Sequence, residues 1–249
     1  MNSTIETILS HRSVRSFENK SLSKKTVDTL IQCAQQASTS SYIQAYSIIG
    51  VTNPDKKKAL AELAGPQSYV EENGHFFVFC ADLKRHEYIG KREETNVIPS
   101  LESTEKFMVA LIDASLAAQN MAIAAESLGY GICYIGGIRN NLEKASELLQ
   151  TPDRVLPLFG LCVGLPTKDT EMKPRLPLHH IYHENTYNNN EEVIEGELRE
   201  FDEIVSAYYT KRTNGKRNQR WSEQMASMLK DPKRSYMKEF VEGKGFDVR

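Results

Sequence analysis

The sequence lacks the short motifs that identify several common classes of protein. No two of its four cysteines form a C-x-x-C pair, and no H-E-x-x-H spacing occurs. A disulfide framework and a metal site are therefore not expected, and the thiols are predicted to be reduced core residues. The G-x-G-x-x-G fingerprint and the Walker A loop are absent too, which argues against a Rossmann dehydrogenase and a P-loop protein.

A strong net charge of either sign is also missing. Lysine and arginine number 31 against 33 acidic residues, a net charge of -2, so nucleic acid is not expected as the main partner. The N-terminus shows no basic stretch followed by an apolar one, which predicts no secretory signal. The apolar residues 105–128 include Asp113 and Glu126, so they predict a core helix or oligomer seam rather than a membrane span. We therefore expect a cytoplasmic globular protein without a membrane partner.

Strand and helix patterns together predict an α+β fold. HFFVFCADL, which begins at His75, is rich in aromatic and β-branched residues and predicts a central buried strand. Because helices of uneven length separate the strands, a mixed α+β sandwich is expected. The other predicted strands are YSIIGV (46–51), GICYIGGI (131–138) and LFGLCVGLP (158–166).

Capping residues predict where several helices begin. Ser3 with Glu6 and Asn140 with Glu143 have the capping-box spacing, and Ser23 is a candidate cap for the helix that follows it. Residues 84–102 are polar and irregular, which predicts a mobile loop.

HRSVRSF (11–17) is a basic fragment directly after the first predicted helix. His11, Ser13 and Arg15 are spaced to enter one loop-lined pocket, where a guanidinium supplies charge and paired donors to phosphate. The alternative is a basic helix C-terminus that interacts with the dipole of its own helix.

KPRLP (173–177) is a second basic fragment. Its two prolines stiffen the backbone around Lys173 and Arg175, and a positioned Lys/Arg pair suits a phosphate monoester. A solvated basic turn is the alternative.

Two further fragments suit the ring of a flat ligand. Gly136 and Gly137 interrupt a good strand, and without a Cβ they let a ligand approach the backbone N–H groups; a bulge is the alternative. The amide of Gln67, near Tyr69, can both donate to and accept from a flavin pyrimidine edge. A surface-loop glutamine is the alternative there.

KRTNGKRNQRW (211–221) is a basic run around an Asn-Gly turn. Arg212, Lys216 and Arg217 are candidates to bind the 2′-phosphate of NADPH. A solvated charged loop and a nucleic-acid patch are the alternatives, and the lack of interleaved aromatic residues weakens the latter.

At these residues the chain resembles the nitroreductase/flavin reductase superfamily, in particular its NADPH-linked, oxygen-insensitive group. The resemblance runs nearly end to end, and several motifs in register are far more specific than any one of them. The fragments in their expected order are HRSVRSF, ASTSSYIQ, AAESLGYGICYIGGIRNN, VLPLFGLCVG, KPRLP, HENTY and YYTKRTNGKRNQRW.

The resemblance implies an α+β homodimer with FMN at the subunit interface, a central, mostly antiparallel sheet and a C-terminal extension that wraps the dimer. Residues 1–183 would form the FMN-binding core and residues 184–249 the extension, within the same domain. The residues implied to bind FMN are His11, Arg12, Ser13, Arg15, Thr39, Gln67, Tyr69, Ile135, Gly136, Gly137, Lys173 and Arg175.

Within that set, the resemblance implies that His11, Ser13, Lys173 and Arg175 hold the ribityl phosphate. Arg15 and Gln67 would address the pyrimidine edge, and the backbone at Gly136 and Gly137 would face N5 and O4. The serine-rich loop departs from the family's four serines because Thr39 occupies one position. Ser41 and Tyr69 would contact substrate, and Arg212, Lys216 and Arg217 would bind NADPH.

The implied activity is ping-pong transfer of hydride from NADPH, through FMN, to free flavins, nitroaromatics or quinones. No side chain is expected to act as a general acid. A non-catalytic flavin-binding or storage protein and a nucleic-acid-binding module that uses residues 211–220 remain as alternatives.

Overall fold

The structure, a computed structural model, describes residues 2–248. Its strands are β1 (Tyr46–Val51), β2 (His75–Asp82), β3 (Gly131–Ile135) and β4 (Val155–Gly164). Its helices are α1 (Ser3–Leu9), α2 (Lys24–Gln35), α3 (Pro54–Leu63), α4 (Ser68–Glu71), α5 (Lys84–Arg92), α6 (Ile98–Leu101), α7 (Thr104–Ser127), α8 (Leu142–Leu149), α9 (Glu191–Arg212), α10 (Trp221–Leu229) and α11 (Met237–Gly243). Single 3₁₀ turns cover Ser40–Tyr42, Gly136–Asn140 and Leu178–His180.

The backbone divides into two compact units. The sheet unit runs from the N-terminal residues to Thr170 and resumes at Arg234, and the extension unit spans Glu171–Lys233. The sheet unit holds all four strands with α1–α8 and α11, whereas the extension unit holds α9 and α10. The sequence analysis divides the chain after residue 183, whereas the compact units divide after Thr170 and after Lys233. That residues 184–249 belong to the same domain as the core stays a prediction.

The sheet has the order β1-β2-β4-β3, and each neighbouring pair is antiparallel. This confirms the expected α+β fold with an antiparallel sheet. All eight residues of β2 are buried, because successive side chains point to opposite faces and helices cover both. Phe76 packs in the cluster that includes α3 and α8, while Phe77 packs against α2 and α7. The run HFFVFCAD therefore shows no polar alternation.

β4 begins earlier than the sequence predicts. It starts at Val155 rather than at Leu158, and Pro157 lies within it opposite Cys80. The β2–β4 register shifts between Phe79 and Cys80. Such a bulge accommodates a proline in a central strand because the ladder is already interrupted there.

α7 is a core helix, in agreement with the sequence. By length and composition alone it could cross a bilayer, but a buried helix of a globular protein passes the same test. Its alanine-rich face packs against β2 and α2, and Asp113 is fully buried within it. Asn120 Nδ2 donates to the Cys33 carbonyl of α2 at 3.3 Å. These polar contacts are made inside the sheet unit.

Helix caps follow the predicted chemistry but not every predicted residue. Ser23 caps α2 as expected, by accepting from Thr26 N at 3.1 Å. The cap of α1 is Asn2 instead of the predicted Ser3, and the cap of α8 is Asn141 instead of the predicted Asn140. Asparagine is as good a cap as serine, so the spacing rule alone could not choose between adjacent candidates.

The prediction of a mobile loop at residues 84–102 is wrong, because α5 and α6 lie there. Local ion pairs explain the helix: Glu87 binds Lys84 at 2.9 Å and Lys91 at 2.7 Å, one turn before and one turn after it. Arg154 also approaches Glu87 at 3.4 Å and ties the helix to the start of β4.

Candidate active site

HRSVRSF lies in extended conformation along the edge strand β3. Val14 N donates to the Ile132 carbonyl at 2.8 Å, and Ser13 bridges Ile132 in parallel. Val14 is buried, and a Cβ on Gly131 would come within 2.7 Å of it, so the close approach requires glycine. Because α1 ends at Leu9, this segment is not the last turn of a helix.

Arg15, Gln67 and Tyr69 meet in the sheet unit, and we call them the amide–guanidinium group. The Tyr69 hydroxyl donates to Gln67 Oε1 at 2.8 Å, and the Arg15 charge lies close enough to act on that hydroxyl. Gln67 Nε2 donates to the Ala64 carbonyl at 2.9 Å. Burial raises the pKa of Tyr69, and the Arg15 charge partly offsets that rise. Residues from HRSVRSF and GPQSYV thus converge, as the sequence analysis predicts for a pyrimidine edge.

The Gly136–Gly137 turn packs beside this group. A Cβ on Gly137 would lie 2.3 Å from the same Ala64 carbonyl oxygen, a distance that real Cβ atoms do not reach. Ile135, just before the turn, is 1% exposed, and its side chain belongs to the core cluster that includes Ala64. Its contribution to a ligand is therefore limited to backbone atoms.

His11 and Arg12 make contacts with different partners. His11 Nδ1 donates to Glu126 Oε1 at 2.8 Å, which ties the ring to α7. Arg12 Nη1 donates to the Ser10 carbonyl at 3.2 Å, and its Nη2 lies 3.8 Å from Asp169. Arg12 lines a cavity of about 170 Å³ with Asp169 and Glu126. Its role toward a cofactor stays a prediction.

The serine-rich loop holds Thr39 and Ser41 in an unusual backbone conformation. Thr39 precedes the 3₁₀ turn and Ser41 lies inside it. Ser41, Tyr42 and Gln44 have φ values of 48°, 60° and 52°, a region that non-glycine residues seldom occupy and that is enriched at ligand-binding sites. Tyr42 and Gln44 also line a cavity of about 610 Å³ with Arg85 and His86.

Lys173 and Arg175 belong to the extension unit and are exposed. Their convergence with His11 and Ser13 on one phosphate stays a prediction.

The basic loop also belongs to the extension unit. α9 ends at Arg212, and Asn214 and Gly215 make the turn with φ values of 49° and 79°. The Arg217 guanidinium lies 4.1 Å from the centre of the Tyr209 ring, and its Nη2 donates to Gln224 Oε1 at 2.8 Å.

Arg212 is held in a similar way. Its Nη1 donates to the Tyr208 hydroxyl at 2.8 Å, and its Nε lies 3.9 Å from Glu171. Lys216 is exposed in the turn. The loop therefore presents cations whose partners are mostly neutral, which leaves their charge available to an anion.

Comparison with known proteins decides the family. The model of the nitroreductase family matches residues 8–165, and that of the nitroreductase family C-terminal domain matches residues 173–249. The chain belongs to the nitroreductase family. It is 58% identical over 247 residues to FMN reductase (NADPH) of Bacillus subtilis strain 168, covering 99% of both chains.

Solved nitroreductase-family structures agree. NfrA1 of B. megaterium superposes with a TM-score of 0.98 at 59% identity, covering 99% of this chain and 100% of the other. NADPH:FMN oxidoreductase from Vibrio harveyi, complexed with NAD+, gives a TM-score of 0.90 at 37% identity and full coverage of both chains. The gap between the two matched family regions, residues 166–172, contains the first of the two boundaries between the compact units.

Asp113 is a residue of this nitroreductase whose role sequence reasoning missed. Its Oδ1 accepts from Ser40 N and its Oδ2 from Ala45 N, each at 3.0 Å, and it is fully buried. It thereby anchors both ends of the serine-rich loop to α7. The sequence offered one signal, an acidic residue on the apolar face of a helix, since buried carboxylates need partners.

Proposed function

We propose that this nitroreductase is an NADPH-dependent FMN reductase that also reduces nitroaromatic and quinone acceptors. The proposal is carried by the amide–guanidinium group beside the Gly136–Gly137 turn. Its supports are the similarity to FMN reductase (NADPH) of B. subtilis and to NADPH:FMN oxidoreductase from V. harveyi.

The residues of the sheet unit fit FMN. Gln67 offers a donor and an acceptor, and Arg15 is exposed and positive, which suits the polar pyrimidine edge. Gly137 lets the turn pack directly against the Ala64 carbonyl, beside Gln67. When bound, FMN supplies the ring that takes hydride from NADPH and passes electrons to an acceptor. The chain's own residues bind and orient it.

The phosphate end needs positive charge. Lys173 and Arg175 supply it, Arg12 adds to it, and His11 and Ser13 add hydrogen-bond donors, with the His11 ring oriented by Glu126. Charge-assisted contacts of this kind are about twice as strong as neutral ones.

The backbone of Ile135 and the Thr39 hydroxyl would also hold the ring of bound FMN. Ser41 and Tyr69 contact the acceptor. Asp113 keeps the loop that carries the two hydroxyls in place.

The basic loop binds NADPH. Arg212, Lys216 and Arg217 provide the positive charge that a 2′-phosphate requires, and this charge favours NADPH over NADH. Arg217 is oriented by the Tyr209 ring and Gln224, so less side-chain freedom is lost on binding.

The kinetic scheme is ping-pong, because nucleotide and acceptor use the same space and oxidised nucleotide leaves before the acceptor enters. Initial rates of NADPH oxidation with FMN, a quinone and a nitroaromatic as acceptors should give parallel double-reciprocal lines. Intersecting lines would contradict the shared space. Bound FMN without NADPH oxidation in stopped-flow mixing would instead identify a storage protein.

The chain forms a homodimer through α7. Met108, Ile112 and Leu116 stand one turn apart on this helix and are 52%, 51% and 44% exposed, an apolar stripe suited to a second copy. The protein acts in the cytoplasm, without a membrane or nucleic-acid partner. Sedimentation should give a dimer, and Ile112→Glu should shift it toward monomer with loss of bound FMN.

The phosphate assignment has its own test. Arg175→Ala should lower the FMN content after dialysis, because one charge-assisted contact is lost. Unchanged flavin absorbance would remove Arg175 from the site and leave the function itself untouched.

A further inference from the structure

Two histidines and one glutamate that are assigned neither to FMN nor to NADPH converge in the extension unit. His179 and His180 stand on the 3₁₀ turn Leu178–His180, and Glu200 lies on α9. Glu200 Oε2 is 3.0 Å from His179 Nε2 and 3.2 Å from His180 Nε2. The three ligand atoms all lie within 4.8 Å of one another.

The geometry of this cluster suits a small tetrahedral cation. Zinc binds imidazole nitrogen and carboxylate oxygen at about 2.0–2.2 Å, which places neighbouring ligand atoms of a tetrahedron about 3.3 Å apart. The observed nitrogen–oxygen separations differ from that value by only a few tenths of an ångström. The two rings stand at 82° with centroids 4.5 Å apart, so their Nε2 atoms reach the shared oxygen from different directions.

The burial of the ligands also suits a site with one open position. The His180 side chain is only 4% exposed, whereas His179 and Glu200 are 61% and 46% exposed. One ligand is thus fixed by packing and the other two border solvent. Three protein ligands with water in the fourth position is a common zinc arrangement, and two histidines with a glutamate is one of its ligand sets.

We propose that His179, His180 and Glu200 form a binding site for a divalent late transition metal, with Zn²⁺ as its occupant. The metal ties the 3₁₀ turn to α9 and leaves one coordination position to water. Imidazole ligands favour zinc and its neighbours over Mg²⁺ and Ca²⁺, which prefer all-oxygen sites. The proposal concerns the extension unit alone and does not rest on the proposed function.

The spacing of these residues in the sequence does not reveal the site. Glu200 lies 20 residues beyond His180, and the helix and turn that carry the ligands are joined only by folding. An adjacent His-His pair by itself matches no common ligand spacing.

The test is equilibrium dialysis of the FMN-loaded, full-length protein without an affinity tag against buffered micromolar Zn²⁺, followed by metal analysis. The expected result is about one Zn²⁺ per chain and a melting temperature raised by Zn²⁺ but not by Mg²⁺. His179→Ala and Glu200→Gln should each weaken Zn²⁺ binding at least about tenfold, since even outer-shell changes cost that much. Both substitutions are at exposed side chains, so the fold should survive.

His183→Ala is the matched control, because His183 contacts Tyr187 and not the cluster. It should bind Zn²⁺ like the unaltered chain. Zn²⁺ binding that is equally strong in the His179→Ala/Glu200→Gln double variant would overturn the site. Absence of Zn²⁺ from the unaltered chain would overturn it too, and would leave the three residues as a hydrogen-bonded cluster.

Discussion

The amide–guanidinium group and the basic loop both present arginine to a ligand, but they are supported in different ways. Arg15 reaches its partners from a strand-like segment bound to β3, and Gln67 is fixed by a backbone carbonyl next to a glycine turn. Arg217 is held by a tyrosine ring and two glutamines that lie within the same 20 residues of chain. One group depends on the buried core and the other on local contacts. Substitutions should therefore affect folding in the first region and only binding in the second.

The largest effect should follow from Asp113→Ala, which removes the buried support of the serine-rich loop. Two backbone N–H groups lose a charged acceptor inside the protein, so the free energy of unfolding should fall by about 3 kcal/mol. Urea unfolding measures it. Asp28→Ala on α2 is the control, because Asp28 is paired with Lys24 at the surface and should cost under about 1 kcal/mol. Equal costs would show that the buried contacts of Asp113 contribute no more to the fold than a surface ion pair.

Gly137→Ala should weaken FMN binding because the turn must move away from the Ala64 carbonyl. Overpacking of this kind costs about 2 kcal/mol, or roughly thirtyfold in affinity. Titration of the apoprotein with FMN, followed by flavin fluorescence, measures the change. Gly196→Ala on α9 is the control, since its Cβ would meet nothing within 4 Å. If both variants bound FMN alike, close packing of Gly137 would not matter to the site.

His75 should make the stability of the sheet unit depend on pH. Burial, and then the charge of Lys57, lower the pKa of His75 from 6.5 to about 4. In the unfolded chain His75 is therefore protonated near pH 6.5, whereas in the folded chain it is protonated only near pH 4. Stability should be full above pH 6.5 and fall by about 3 kcal/mol as the pH drops to 4.

His75→Phe should remove that part of the pH dependence, as measured by urea unfolding at pH 7, 6, 5 and 4. His183→Phe, at a partly buried histidine of the extension unit, should keep it. The same slope in His75→Phe as in the unaltered chain would place the titrating group elsewhere.

Arg217→Ala should have the smallest effect on the fold and a clear effect on the kinetics with NADPH. Loss of one charge-assisted contact should raise the KM for NADPH about tenfold, with FMN content and urea midpoint unchanged. Arg199→Ala is the control, because Arg199 pairs with Glu195 on the same helix as Arg212. A lowered urea midpoint in Arg217→Ala would show that the loop supports the fold after all.

Sequence patterns predicted the sheet well because its strands are short and strongly apolar. β1 has the predicted bounds and β2 the predicted central position. The prediction failed where distant residues decide the local structure. Pro157 is tolerated in β4 because β4 bulges at Leu158, opposite the step from Phe79 to Cys80 of β2. Residues 84–92 are helical with the help of Arg154, more than 60 residues away in the chain.

The candidate site was predicted in its residue types and only partly in its contacts. The structure brings Gln67, Tyr69 and Gly137 together near Ala64 and places Arg12 near Asp169, while their roles toward a ligand stay predictions. Asp113 was assigned no role, since its two partners are backbone groups of a loop about 70 residues earlier. A rule based on residue spacing cannot identify backbone partners so far away in the chain.

The sequence by itself determined the α+β class, the order of the basic and glycine-rich motifs, and through them the nitroreductase family. Hydrophobic periodicity and residue chemistry are properties of a single stretch of chain, so they can be read without a fold. Only the tertiary structure decided that Gln67 and Gly137 both pack against the Ala64 carbonyl and that Glu200 contacts His179 and His180. Those contacts depend on how separate segments pack, and the whole core sets the positions of the polar atoms in those segments.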